Sequence, residues 1–97
     1  MTTIENLDKA FESRVRLGIM SVLTGAGQAD FNTLKSMLGV SDGNLASHIR
    51  ALEEQGYIET IKQFIGRKPN TSYSVTEAGR TAFSTHIKAL SSLLGLK

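Results

Sequence analysis

The chain has no cysteine among its 97 residues, which excludes disulfide frameworks, thiolate metal sites and cysteine nucleophiles. It has a single proline, and no apolar run approaches the ~18 residues that a membrane span needs. Residues 1–20 lack the apolar core of a signal peptide, so no membrane partner is expected and the expected compartment is the cytoplasm. Hydrophobic residues make up 40%, charged residues 21% and aromatics 6%, a composition that folds rather than staying disordered. That length supports one domain over 1–97, with a core that buries roughly 60–70% of the unfolded surface.

The net charge of +2 is too small to announce a polyanion partner, but its distribution is uneven. Residues 60–76 hold three of the 11 basic side chains, Lys62, Arg67 and Lys68, and no acid, while the other eight face nine acids. Concentrated positive charge is the pattern that matters for nucleic acid. Three charges in a loop also fit an ordinary solvated hairpin tip, so their neighbours decide what they mean.

Ile4, Leu7, Phe11, Val15, Ile19 and Val22 recur in steps of three and four, which predicts an amphipathic helix over 4–24. Gly25-Ala26-Gly27 reads as the turn that stops it. With no preceding strand and no lysine after it, that segment is a poor phosphate loop. Asn32 is expected to cap a short second helix carrying Leu34, Met37 and Leu38, which Gly39 ends. Ser41 then caps a third helix over 42–55, striped by Leu45, Ile49 and Leu52 and closed by Gly56. Two helices joined by a short Gly-containing turn over 32–56 are a helix-turn-helix pattern, although any small helical hairpin has the same spacing.

From Tyr57 the period changes. Tyr57, Ile58, Thr60, Ile61, Phe64 and Ile65 suit a strand, and their imperfect alternation predicts a bulge. Gly66 to Asn70 reads as a turn and Thr71 to Val75 as the returning strand, which makes 57–76 a β-hairpin with a basic tip. Thr76 is the expected N-cap of a last helix over 77–95, with Glu77 placed well against the helix dipole. Phe83, Ile87, Leu90 and Leu94 form a heptad-like seam on it. With Leu93 and Leu96 beside them, these offer more apolar surface than a body this small covers easily. The expected occupant is a second copy, with Leu7 and Phe11 of the first helix completing the interface; the alternative is that the first helix covers the seam within one chain.

Helix, helix-turn-helix, basic-tipped hairpin, helix is the order of a winged helix. The fold class is therefore mainly α with a small β-hairpin, a winged helix-turn-helix with long terminal helices. The segments Leu34 to Ser41, Gly43 to Ile49 and Leu52 to Ile58 resemble the core of MarR- and ArsR-like regulators. Tyr73-Ser74-Val75-Thr76-Glu77-Ala78-Gly79-Arg80 resembles the strand-into-helix segment of the MarR side. The likeness covers roughly residues 7–90 and implies a homodimeric prokaryotic transcriptional regulator. The chain departs from it in being shorter than full MarR proteins and in carrying no ArsR-type metal box.

With Leu45, Ile49 and Leu52 turned inward, Gly43, Asn44, Ser47, Arg50 and Ala51 fall on the opposite arc of the third helix. A helix of that width fits the major groove. The small residues permit close approach, Asn44 suits adenine, and Arg50 suits guanine or a phosphate. Ser41 and nearby backbone N–H groups suit a phosphate at the helix start. Asp42 is an objection there, unless it accepts from cytosine or serves only the helix terminus. Arg67 and Lys68 at the wing tip, with Lys62 along the strand, fit the adjacent minor groove or backbone and supply affinity more than sequence choice.

His48 lies at the flank of the stripe, within reach of a phosphate or of the core's edge, and His86 reads as a flank residue of the terminal seam. No metal site, cofactor or catalytic residue is expected. Glu53 and Glu54 are adjacent and point apart on a helix, and no nucleophile elbow holds Ser, His and Asp together. The expected function is sequence-specific binding of double-stranded DNA by a homodimeric regulator. A winged-helix module that binds protein is the alternative, and no residue names a small-molecule effector.

Overall fold

The computed structural model describes residues 4–95, so Leu96 of the expected seam lies outside the described residues. Side-chain caps divide the N-terminal segment into short 3-10 turns at Ile4–Asn6 and Lys9–Phe11 and a helix α1 at Arg14–Ala26. The single helix expected over 4–24 is thus broken twice. Asp8 accepts from the Ala10 N–H at 2.9 Å, and Ser13 accepts from the Arg16 N–H at 3.4 Å, each from an extended backbone. Such local bonds compete with the helix, and they win where the capping residue also has tertiary partners. Asp8 has two of them. Tyr57 Oη donates to its other oxygen at 2.7 Å, and the Asp8 N–H donates to His86 Nδ1 at 3.0 Å.

Gly27 closes α1 at φ 85, so Gly25 and Ala26 remain helical instead of forming a turn. A strand β1 follows at Gln28–Asp30, then α2 at Phe31–Leu38. The cap of α2 is Asp30 rather than Asn32, because the Asp30 carboxylate accepts from the Thr33 N–H at 2.8 Å while Asn32 already lies inside the helix. Hydrogen bonds from Thr33 hold that carboxyl below its usual range. Helix α3 covers Asp42–Glu54 and starts at Ser41 as expected, with Ser41 Oγ accepting from the Asn44 N–H at 3.2 Å. Strands β2 (Ile58–Ile65) and β3 (Lys68–Val75) form the wing, and α4 runs over Glu77–Leu93 from a Thr76 cap.

The sheet is antiparallel in the order β1-β3-β2. Pairing runs unbroken from Ile58 opposite Val75 to Ile65 opposite Lys68, so the expected bulge is absent and Pro69 and Asn70 are strand residues. Gly66 at φ 65 explains the correction: a left-handed first position makes a two-residue turn whose twist matches the strands, so the ladder continues to the tip. The uneven alternation has another origin. Ile58, Tyr73 and Val75 are buried on one face, but further along that face Lys62, Phe64 and Pro69 have left the core and are exposed.

The core joins Ile19, Met20 and Leu23 of α1 with Leu34 of α2 and Leu45, Ile49 and Leu52 of α3. Each such fully buried aliphatic side chain contributes about 1.5–3 kcal/mol relative to exposure. An aromatic group closes the end near α4. The Phe11 ring lies 5.5 Å from Tyr57, 5.5 Å edge-on from Phe83 and 5.2 Å from His86. Phe11 is 3% exposed and Phe83 8%, so both leave the expected dimer seam for the core of one chain. His86 also turns inward, at 7% exposure, in place of flanking the seam.

Candidate nucleic-acid interface

Burial of Leu45, Ile49 and Leu52 fixes the rotation of α3, and Gly43, Asn44, Ser47 and Arg50 are exposed on its other side. Ala51, expected beside them, is half-buried. The hydroxyl of Ser41 accepts the capping bond, which leaves its own proton able to donate. The objection raised by Asp42 is answered from α2, where Lys35 Nζ sits 2.8 Å from its carboxylate. Both partners are exposed, so the pair adds little stability; its effect is to offset a negative charge beside the helix N-terminus.

The two long sides of α3 are bordered differently. Along one, Glu53 accepts a short hydrogen bond from Thr60 Oγ1, which ties β2 and therefore the wing to the helix. Along the other, Arg16 of α1 donates from Nε to His48 Nδ1 at 3.0 Å. Burial, then the neighbouring Arg16 charge, lowers the His48 pKa below its ordinary value. That lowering favours the neutral imidazole, whose Nδ1 accepts from Arg16. Its structural effect is to hold the half-buried Arg16 guanidinium against α3. Arg16 was missed by sequence reasoning because it falls on a polar arc of α1, 32 positions before its partner.

Lys62, Arg67 and Lys68 are all exposed along the hairpin, and among the described residues neither they nor Arg50 enters an ion pair. The structure thus groups Ser41, Gly43, Asn44, Ser47 and Arg50 on one surface, with His48 and Arg16 on one border and the basic wing on the other. Among the described residues, no helix is long and apolar enough to cross a membrane.

A protein-family model described as a winged helix DNA-binding domain matches residues 15–94. The chain belongs to that family. An uncharacterized protein of Methanocaldococcus jannaschii is 42% identical over 79 residues, covering 81% of this chain and 86% of its own length. The winged helix superposes on the structure of a transcriptional regulator homologue from Pyrococcus horikoshii with a TM-score of 0.79 at 31% identity, covering 95% of this chain and 96% of that one. The regulator BldR from Sulfolobus solfataricus shares the fold with a TM-score of 0.74 at 17% identity, over 95% of this chain and 61% of that one. The resemblance to MarR-like regulators read from the sequence accords with the family model and the Pyrococcus horikoshii structure. The family model makes the chain a winged-helix DNA-binding domain.

Proposed function

We propose that the protein is a homodimeric transcriptional regulator that binds double-stranded DNA sequence-specifically, with α3 in the major groove and the wing on the adjacent minor groove or backbone. The observation that carries this reading is the exposed face of α3, Gly43, Asn44, Ser47 and Arg50, lying beside a hairpin whose residues 60–76 hold three cations and no acid. Arg50 and Asn44 read bases. Ser41, Lys62, Arg67 and Lys68 hold phosphates, and Arg16, steadied by His48, adds a cation on the opposite border.

The whole chain acts as one DNA-binding domain, and its terminal elements supply the dimer contact. With Phe11 and Phe83 inside, the contact falls to Ile87, Leu90, Leu93 and Leu94, which are 39%, 38%, 49% and 67% exposed, with half-buried Leu7 beside them. Exposed apolar surface of this kind marks an interface, and an isologous pairing brings two α3 helices to half-sites about 34 Å apart.

Light scattering with and without a mixed-sequence duplex, at two salt concentrations, tests both halves. A dimer whose affinity falls steeply with salt is the expected result. A dimer that ignores DNA at low salt sinks the regulator reading, and a monomer that binds DNA removes the α4 seam. Arg50→Ala is expected to weaken a selected operator by about 1–3 kcal/mol and random DNA far less. Equal losses on both would show that Arg50 reads no base.

A further inference from the structure

We propose that Phe64 is an apolar wedge that enters the minor groove and kinks the duplex, an inference that rests on the DNA-binding reading above. Phe64 is 74% exposed, whereas Phe11 and Phe83 are buried and Phe31 is half-buried. It therefore takes no part in holding the fold together. The sheet register places it on the same face of β2 as Thr60, the residue that bonds Glu53 of α3.

Four residues further along the strand, Phe64 stands about 13 Å beyond that contact. Adding the half-width of α3, about 5 Å, reaches the neighbouring minor groove, whose centre is half a helical repeat, about 17 Å, from that of the major groove. Its mount is stiff, because Phe64 pairs with Pro69 in a ladder that continues without a bulge to a two-residue turn. Its surroundings favour a polyanion over an apolar protein partner. Lys62 lies two residues before it on the same face, Arg67 and Lys68 follow in the turn and the next strand, and residues 60–76 contain no acid. An apolar side chain carried into the minor groove by flanking cations unstacks a base step and bends the duplex toward the major groove.

The full-length chain is added at low salt to a short mixed-sequence duplex with donor and acceptor dyes at its two ends, followed by energy transfer and anisotropy together. Wild-type protein is expected to raise both signals. Phe64→Ala is expected to bind within about tenfold of wild type, since the phosphate contacts remain, yet to leave the transfer at the free-duplex value. Phe64→Leu, which keeps an apolar wedge, is expected to restore the bend. Because the ring is exposed, Phe64→Ala is expected to melt with the wild type, which separates loss of the wedge from loss of the fold. Bending by Phe64→Ala equal to wild type, or wild-type binding with no change in transfer, overturns the wedge and leaves DNA binding intact. No anisotropy change for any of the proteins overturns both.

Discussion

Gly79→Ala is expected to cost about 3 kcal/mol of stability or more, which for a domain of this size lowers Tm by roughly 10–20 °C. Gly79 sits in the first turn of α4, directly against the loop that links α3 to the wing. A Cβ built there falls 2.7 Å from the Tyr57 carbonyl carbon and 2.9 Å from its Cα, and nearer still to the carbonyl oxygen. Those are backbone atoms, so no rotamer change relieves the overlap.

They are also committed elsewhere. The Tyr57 carbonyl accepts from the Thr76 N–H at 3.0 Å, and Thr76 Oγ1 donates to the Gly56 carbonyl at 2.6 Å. Pushing α4 away breaks this joint and disturbs Phe83 and His86 behind it. Gly25→Ala is the control. It lies in α1 with nothing within 4 Å of an added Cβ, so helix propensity alone is expected to raise stability, by about 0.5–1 kcal/mol. Thermal melts followed by circular dichroism compare the two, and a Gly79→Ala protein that melts with the wild type would refute the close-packed joint.

Replacing Arg67 and Lys68 together by alanine is expected to make the slope of log affinity against log salt less negative by about 1.8, roughly 0.9 for each phosphate left without its cation. Both side chains project from the wing tip into solvent without an ion-pair partner among the described residues, so each is free to displace a counterion. The weakening falls equally on every sequence, because phosphates carry no base information. This separates the wing from Arg50, whose removal is expected to act on the operator. Anisotropy titrations of wild type and double variant over a salt series measure the slope directly. An unchanged slope places the wing off the DNA.

Much of the candidate interface was legible because its signals are local. Ser41 and Thr76 cap helices through side chains that reach only three residues ahead, and both caps are where the sequence put them. The Leu45, Ile49, Leu52 stripe fixes which arc of α3 faces outward without reference to anything else in the chain. The cations of the wing and the glycine of its turn are likewise adjacent in sequence.

The misreadings share one cause. Phe11 and Phe83 lie on good helical stripes, but a stripe does not say how far along it the chain's own core reaches. Packing of Phe11 against Tyr57, Phe83 and His86 took Phe83 into the core and left Ile87, Leu90 and Leu94, further along the same stripe of α4, exposed. Asp8 breaks the N-terminal helix because its partners, Tyr57 and His86, come from 49 and 78 positions away. Strand β1 is three residues long and exists only because β3 offers it an edge.

By itself the sequence determined the order of helices and hairpin, the Ser41 and Thr76 caps, the outward arc of α3 and the concentration of positive charge in the wing. Each depends on residues within a turn or a strand pair of one another. Only the tertiary structure decided where the N-terminal helix begins, that His48 holds Arg16, how much of the α4 stripe the core covers and how far the wing carries Phe64. Each of those depends on side chains that meet once the chain has closed on itself, and meetings of that kind leave no periodic trace in the sequence.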